Sequence, residues 1–141
     1  PRLLALVRAC SPQYIFSAPV LPWMAETLCY TLDLLAGPWG KERRGILEER
    51  AKELRAKLRK EGFDTLGSMT HIVPILIGDE VKCQQIKQGL LKEGINVASF
   101  FFPAVAKGSA VLRISVCADI TSQEIDDLVG VVRYTFKRNK K

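Results

Sequence analysis

Three apolar segments bordered by glycine or proline dominate the second half of this chain. They are His71–Gly78, Ile95–Phe102 and Ala110–Val116. Apolar runs of this length with glycine or proline at their borders are typical of buried strands. Pro74 lies inside the first run, and proline cannot donate a hydrogen bond to a strand ladder. The sequence therefore predicts three strands, the first of them at an edge of the sheet or locally irregular.

Two amphipathic helices alternate with these strands. Asp79 is a suitable N-cap for a helix that ends near Lys92, and Thr121 with Glu124 forms a capping box at the start of a final helix. The predicted inward-facing residues are Cys83, Ile86, Leu90, Ile125, Leu128, Val129, Val132 and Phe136. The order strand–helix–strand–strand–helix from residue 70 onward predicts an α+β layer, with two helices on one face of a small, mostly antiparallel sheet.

The first half of the chain is predicted to be mainly helical. Apolar spacing predicts helices over residues 3–10, 23–35 and 41–61, and the β-prone tetrad Tyr14–Ser17 predicts a short strand. The third helix has an apolar stripe formed by Leu47, Ala51, Leu54 and Leu58. One short strand gives too little sheet for an independent core. We therefore expect residues 1–65 to be the end of a larger domain and residues 66–141 to form a small α+β domain.

Charge and hydropathy argue against two classes of partner. The net charge of +6 comes largely from the basic tail and from the helix predicted over 41–61. In that helix, basic residues alternate with glutamates as they do on a solvated face. The sequence also has no pattern of aromatic and basic residues suited to stacking on single strands. We predict no nucleic-acid partner, and no membrane span either, because no apolar run approaches the roughly 20 residues that a bilayer requires.

The cysteines and the single histidine predict neither a metal site nor a catalytic dyad. The cysteines have no C-x-x-C spacing, and His71 alone gives little material for a zinc site. We interpret all four cysteines as buried thiols of a reducing compartment and expect a cytoplasmic protein. His71 is expected to end a strand with its ring bonded to the backbone, and Asp126 and Asp127 to be solvated. We predict no catalytic residue within the chain. The four cysteines are Cys10, Cys29, Cys83 and Cys117.

Arg113 is the main candidate for a functional residue. It lies in Gly108–Ser115, an otherwise apolar strand pattern, and a buried guanidinium without a partner is strongly unfavourable. We therefore expect Arg113 to be paired. Its planar fork of N–H donors suits a carboxylate or a phosphate. Two readings follow from the residues alone: a structural ion pair, or the anchor of an anionic substrate.

Five short segments also follow one another in a recognisable order. Tyr14–Pro22 is similar to F-I-F-S-x-x-L-x-P, and Ile72–Asp79 is similar to I-V-P-V-x-x-G-D. The other three segments are Gly94–Val97, Phe102–Val105 and Gly108–Ser115. Taken together, the chain resembles the α-oxoamine synthases. These pyridoxal-phosphate enzymes condense an amino acid with an acyl-CoA.

The resemblance implies a fold and roles for three residues. It implies that 66–141 is the C-terminal small domain of a fold-type I pyridoxal-phosphate-dependent transferase, preceded by the helical end of the large domain in 1–65. Arg113 matches the arginine that binds the carboxylate of the amino-acid substrate. Ser17 and Ala18 match residues that reach the phosphate of the cofactor in the neighbouring subunit of a homodimer. Ala18 departs from the threonine or asparagine common there, so only its backbone can contribute.

The resemblance further implies that the cofactor-anchoring lysine is not among these residues. No lysine of the chain lies in the family's lysine motif, which precedes the F-I-F-S segment. We therefore expect the C-terminal portion of an acyltransferase that makes an amino ketone, truncated and inactive by itself. The residues leave the amino acid and the acyl-CoA unidentified. Two alternatives stay open: a stand-alone small α+β binding module, and an inactive fragment that regulates an intact paralogue.

Overall fold

Residues 2–17 and 20–138 are described by a computed structural model, in which the chain forms two compact units divided after Gly40. The first unit contains α1 (Arg2–Cys10), α2 (Pro12–Phe16) and α3 (Pro22–Ala36). The helices predicted over 3–10 and 23–35 are therefore confirmed. Throughout α1 and α3, whose residues are all described, no side chain is buried.

The short strand predicted over Tyr14–Ser17 is wrong, because Tyr14–Phe16 belong to α2 and Ser17 is its C-cap. Pro12 occupies the start of the helix, where its fixed φ favours helical geometry and its missing N–H is not needed. Ser17 ends the helix in an extended conformation and donates its backbone N–H to the carbonyl of Gln13 at 3.0 Å. A local proline thus overrides the β preference of the aromatic and branched residues that follow it.

Helix α4 (Pro38–Lys60) starts three residues earlier than predicted, again with proline in its first turn. Gly62, which has a φ of +84°, follows its end as predicted. The apolar stripe of α4 faces the core of the second unit. Three of its four residues are buried and Leu47 is partly buried; the buried ones are Ala51, Leu54 and Leu58.

The described residues of the second unit include a three-stranded antiparallel sheet with the order β1-β3-β2. Its strands are β1 (Ile72–Gly78), β2 (Ala98–Phe100) and β3 (Ala110–Ser115). The edge position expected from Pro74 is confirmed. Strand β2 is shorter than the predicted Ile95–Phe102 at both ends. The N–H of Ile95 bonds to the carbonyl of Leu90 at the end of the preceding helix, and the carbonyl of Phe101 accepts the N–H of Ala104 in the following turn.

Helices α5 (Glu80–Lys92) and α6 (Ser122–Arg138) complete the second unit. As predicted, Asp79 caps α5 by accepting the N–H of Lys82 at 2.7 Å. The predicted capping box of α6 also forms, since Thr121 donates its N–H to Glu124 and accepts the N–H of Glu124 in return. One face of the sheet packs with α4, α5 and α6 in a single core, to which β1 and β3 contribute Val73, Ile75, Ala110, Leu112 and Ile114.

The expectation of four buried cysteines is wrong. Cys83 on α5 is buried, whereas the other three, all within the described part of the chain, are exposed: Cys10, Cys29 and Cys117. Cys10 and Cys29 lie on helices that have no buried residue, so there is no core in which their apolar side chains could be buried. Burial raises the pKa of the Cys83 thiol, which keeps it protonated.

His71 is exposed and precedes β1. Its backbone carbonyl accepts the N–H of Val116 at 3.0 Å. The expectation that its ring bonds to the backbone is wrong, since the described residues give the ring no hydrogen-bond partner. Within the same residues, no group of three potential ligands gathers around a metal position. Every helix they form is too short or too polar to cross a lipid bilayer.

Candidate functional site

Arg113 lies in the central strand β3, on the face of the sheet opposite the core. Its neighbours Leu112 and Ile114 point into the core, and successive strand residues alternate between faces. The side chain of Arg113 is accordingly exposed, so the desolvation argument for a paired guanidinium does not apply to it. Val111 lies on the same face as Arg113 and is apolar and buried. The sequence of β3 therefore does not show that alternate residues point to opposite faces of the sheet.

The residues beside Arg113 on this face are uncharged. Pro74 of β1 pairs with it on one side and Ala98 of β2 on the other. Phe100 of β2 lies diagonally across the ladder, and its ring centroid is 4.6 Å from the central carbon of the Arg113 guanidinium. We define the open-face site as these four residues. Sequence reasoning missed Phe100, because only the strand register shows that it reaches Arg113.

Arg113 differs from other arginines of the second unit. Three of them form ion pairs within the chain: Arg43 with Asp119, Arg50 with Glu53 and Arg133 with Glu61. Within residues 2–17 and 20–138, no carboxylate pairs with Arg113, whose described interaction is the cation–π contact with Phe100. The described residues therefore do not support the first reading, in which Arg113 forms a structural ion pair within the chain. The N–H donors of Arg113 are available to a ligand from outside the chain.

Ser17, the first predicted phosphate ligand, is exposed at the end of α2. Its backbone N–H is already bonded to Gln13, so the hydroxyl is the donor that it offers. Ala18, the second predicted ligand, lies outside the described residues. The roles of Ser17 and Ala18 both stay predictions.

Of the two adjacent aspartates on α6, Asp126 and Asp127, the first has a structural role. Asp126 forms an ion pair with Lys57 of α4 at 2.6 Å, and Lys57 also bonds Glu53 at 2.8 Å. These hydrogen bonds, the one to Asp126 first, raise the pKa of the Lys57 ammonium group. Asp126 thus links two core helices, and Asp127 accepts a hydrogen bond from Gln123. Neither carboxylate needs an acid–base role to explain its presence.

Comparison with known proteins places the chain in a family. The model of the aminotransferase class I and II family matches residues 1–132, and the chain belongs to that family. Over 125 residues it is 32% identical to 8-amino-7-oxononanoate synthase of Citrifermentans bemidjiense, covering 89% of this chain and 32% of that protein. Over 119 residues it is 33% identical to 2-amino-3-ketobutyrate coenzyme A ligase of Escherichia coli, covering 84% and 29%.

Solved structures agree with these matches. The fold superimposes on a structure of serine palmitoyltransferase with its PLP internal aldimine, with a TM-score of 0.84 and 27% identity over 99% of this chain and 35% of that one. These findings confirm the α-oxoamine synthase resemblance, the α+β fold of a pyridoxal-phosphate-dependent transferase, and the cofactor class. The chain spans about a third of the length of the curated relatives it matches.

Proposed function

We propose that this chain is the C-terminal part of a pyridoxal-phosphate-dependent acyltransferase that condenses an amino acid with an acyl-CoA to give an amino ketone. In this proposal Arg113 binds the carboxylate of the amino acid. The observation that carries it is an exposed guanidinium that no described carboxylate of the chain neutralises. The names of the relatives support the reaction class. The match over most of the chain argues against a stand-alone binding module.

The guanidinium of Arg113 suits the binding of a carboxylate in one orientation. Two parallel N–H···O bonds hold a carboxylate in the plane of the guanidinium, which fixes both the position and the rotation of the ligand. Positioning of this kind lowers the activation barrier, because the translational and rotational entropy of the substrate is lost on binding and not in the transition state. Because Pro74 and Ala98 beside it carry no competing charge, the bound carboxylate would interact chiefly with Arg113.

The residues present fit a peripheral contribution to cofactor binding. The exposed hydroxyl of Ser17 and the backbone at Ala18 are suitable donors to a phosphate, and we propose that they reach the cofactor of the partner subunit in a homodimer. When bound, pyridoxal phosphate supplies the electron sink that stabilises negative charge at the reacting carbon. We propose that another part of a longer polypeptide contributes the anchoring lysine, so that these 141 residues are inactive alone.

Two further assignments belong to the same proposal. Residues 66–141 would form the small domain that closes over the substrate, and residues 1–65 the end of the large domain. The described contacts support the α+β character of the former, whose sheet and helices share one core. That core also includes Ala51, Leu54 and Leu58 of α4. We also propose that the enzyme is cytoplasmic, as expected for a biosynthetic enzyme that uses soluble substrates.

The test is the substitution Arg113→Ala in the complete enzyme that contains this chain. Hydrogen bonds to a charged partner are lost, so we expect the KM for the amino acid to rise about 10- to 100-fold, with the KM for the acyl-CoA unchanged. Steady-state kinetics with each substrate varied in turn measure both constants. Arg113→Lys is the matched control, because it keeps the positive charge and loses the planar fork of N–H donors. Its KM for the amino acid should lie between those of the wild type and Arg113→Ala. Unchanged amino-acid kinetics in Arg113→Ala would overturn the proposal.

A further inference from the structure

We propose that Phe100 is a positioning residue, which holds the guanidinium of Arg113 ready for the substrate carboxylate. This inference rests on the proposed function of Arg113. It concerns how an exposed and otherwise unpaired side chain comes to present a fixed binding edge. The aromatic ring, in this proposal, binds one face of the guanidinium and leaves its N–H edge to the ligand.

The strand register places the two side chains together. Ala98 is opposite Arg113 and Phe100 is opposite Val111 in the β2–β3 ladder, so Phe100 and Arg113 are diagonal neighbours on the same face. Long and aromatic side chains can span that diagonal. The 4.6 Å between guanidinium carbon and ring centroid lies within the limit of about 6 Å for a cation–π contact.

The two interactions of Arg113 use different parts of the guanidinium. A stacked cation–π contact engages the flat face of the guanidinium, whereas a bidentate carboxylate bonds the N–H donors around its edge. Stacking on Phe100 therefore does not compete with the ligand. It should restrict the rotamers of Arg113 before binding, which reduces the conformational entropy lost when the complex forms.

The immediate neighbours of Arg113 are not able to replace the ring. Pro74 and Ala98 flank it with short side chains that carry no polar atom. Within the described ranges 2–17 and 20–138, Arg113 has no hydrogen-bond acceptor to fix its position. Phe100 is itself only partly buried, so its packing gives limited support to the core. The contact with Arg113 is its distinguishing feature.

The kinetic test uses the substitution Phe100→Leu in the complete enzyme. Leucine keeps apolar bulk and removes the aromatic face, so the KM for the amino acid should rise about three- to tenfold. The kcat and the KM for the acyl-CoA should stay within about twofold, because the core is unchanged. Phe100→Tyr keeps a ring and should restore wild-type kinetics. Phe102→Leu is the matched control, since the ring of Phe102 has its cation–π contact with the Lys107 ammonium group, at 5.1 Å, and not with Arg113.

Each kinetic outcome decides a different point. A normal amino-acid KM in Phe100→Leu, alongside an impaired Arg113→Ala, would overturn this inference and leave the proposed function intact. A normal KM in Arg113→Ala would overturn the proposed function, and the inference with it. An equal rise in Phe100→Leu and Phe102→Leu would assign the effect to lost aromatic surface in general and would also overturn the inference.

A spectroscopic test needs no assay of the complete enzyme. In the 141-residue chain, the ring current of Phe100 should shift the Nε–H proton of Arg113 upfield in a ¹H–¹⁵N spectrum. The signal is assigned by its absence in Arg113→Lys. The shift should persist in Phe100→Tyr and vanish in Phe100→Leu. A wild-type signal at the ordinary position of an unstacked arginine would overturn the inference even if Phe100→Leu failed to fold.

Discussion

Helices α3 and α6 have similar lengths, 15 and 17 residues, yet their apolar residues have different surroundings. In α6 they form one stripe that is buried against the sheet and the neighbouring helices. In α3, described over its full length, none is buried, and large side chains such as Trp23 and Leu32 are each 64% exposed. Apolar residues on a helix are therefore buried only where another helix or a sheet packs against them.

The comparison extends to the two units. The described core consists of residues between Leu47 and Phe136, all in the second unit. The first unit exposes many large apolar side chains, and apolar surface of that extent usually marks a place where other protein packs. This contrast supports the proposal of a larger domain for residues 1–40, whereas α4 packs in the core of the second unit.

The largest expected effect is on the core. Leu54 of α4 is fully buried, so Leu54→Ala should lower the free energy of unfolding by about 2 to 5 kcal/mol through lost burial and a residual cavity. The same substitution at the exposed Leu32 of α3 should change it by about 0.5 kcal/mol or less. Denaturant titration of the 141-residue chain, followed by circular dichroism, measures both. Similar losses at the two positions would remove the distinction between the units.

A smaller effect is expected at the capping box. Thr121→Ala removes the hydroxyl that accepts the N–H of Glu124 at 3.2 Å, and losing such a cap costs about 1 kcal/mol. Thr27→Ala is the matched control in α3. The Thr27 hydroxyl donates to the carbonyl of Trp23 at 2.8 Å within one helix, so its removal should change the unfolding free energy by about 0.5 kcal/mol or less. A larger loss for Thr27→Ala than for Thr121→Ala in the same titration would contradict this ranking.

The smallest effect concerns charge. Hydrogen bonds from Lys57 first, then from Arg50 and Ser122, lower the pKa of the Glu53 carboxyl. The carboxylate therefore contributes stability above its ordinary pKa, and the contribution disappears as the pH falls through the lowered value in the folded state. We expect Glu53→Gln to cost less than about 1 kcal/mol at neutral pH.

Thermal melts from pH 7 downward test this prediction. The difference between wild type and Glu53→Gln should shrink to nothing at low pH. Glu26→Gln on the exposed helix α3 is the control for replacing a glutamate by glutamine outside the described core. A difference for Glu53→Gln that stays constant with pH would show that the carboxylate charge contributes no stability.

Local signals in the sequence predicted much of this fold. Three predictions were confirmed: the N-cap at Asp79, the capping box of α6 and the edge position of the strand that contains Pro74. Each depends on residue types within a few positions of one another in the sequence. The predicted strand at Tyr14–Ser17 failed because Pro12, just outside the tetrad, begins a helix. The length of β2 failed because the bond from Ile95 to Leu90 belongs to a helix end that an apolar pattern does not reveal.

The sequence by itself determined the order of strands and helices from residue 70 onward, the apolar stripes and the family, because these depend on residue type and spacing. Only the tertiary structure decided that Arg113 is exposed and that Phe100 contacts its guanidinium. Strand register joins residues far apart in the chain, and a shift by one residue would move every side chain to the other face. The candidate site is therefore a product of register, which no local pattern around Arg113 encodes.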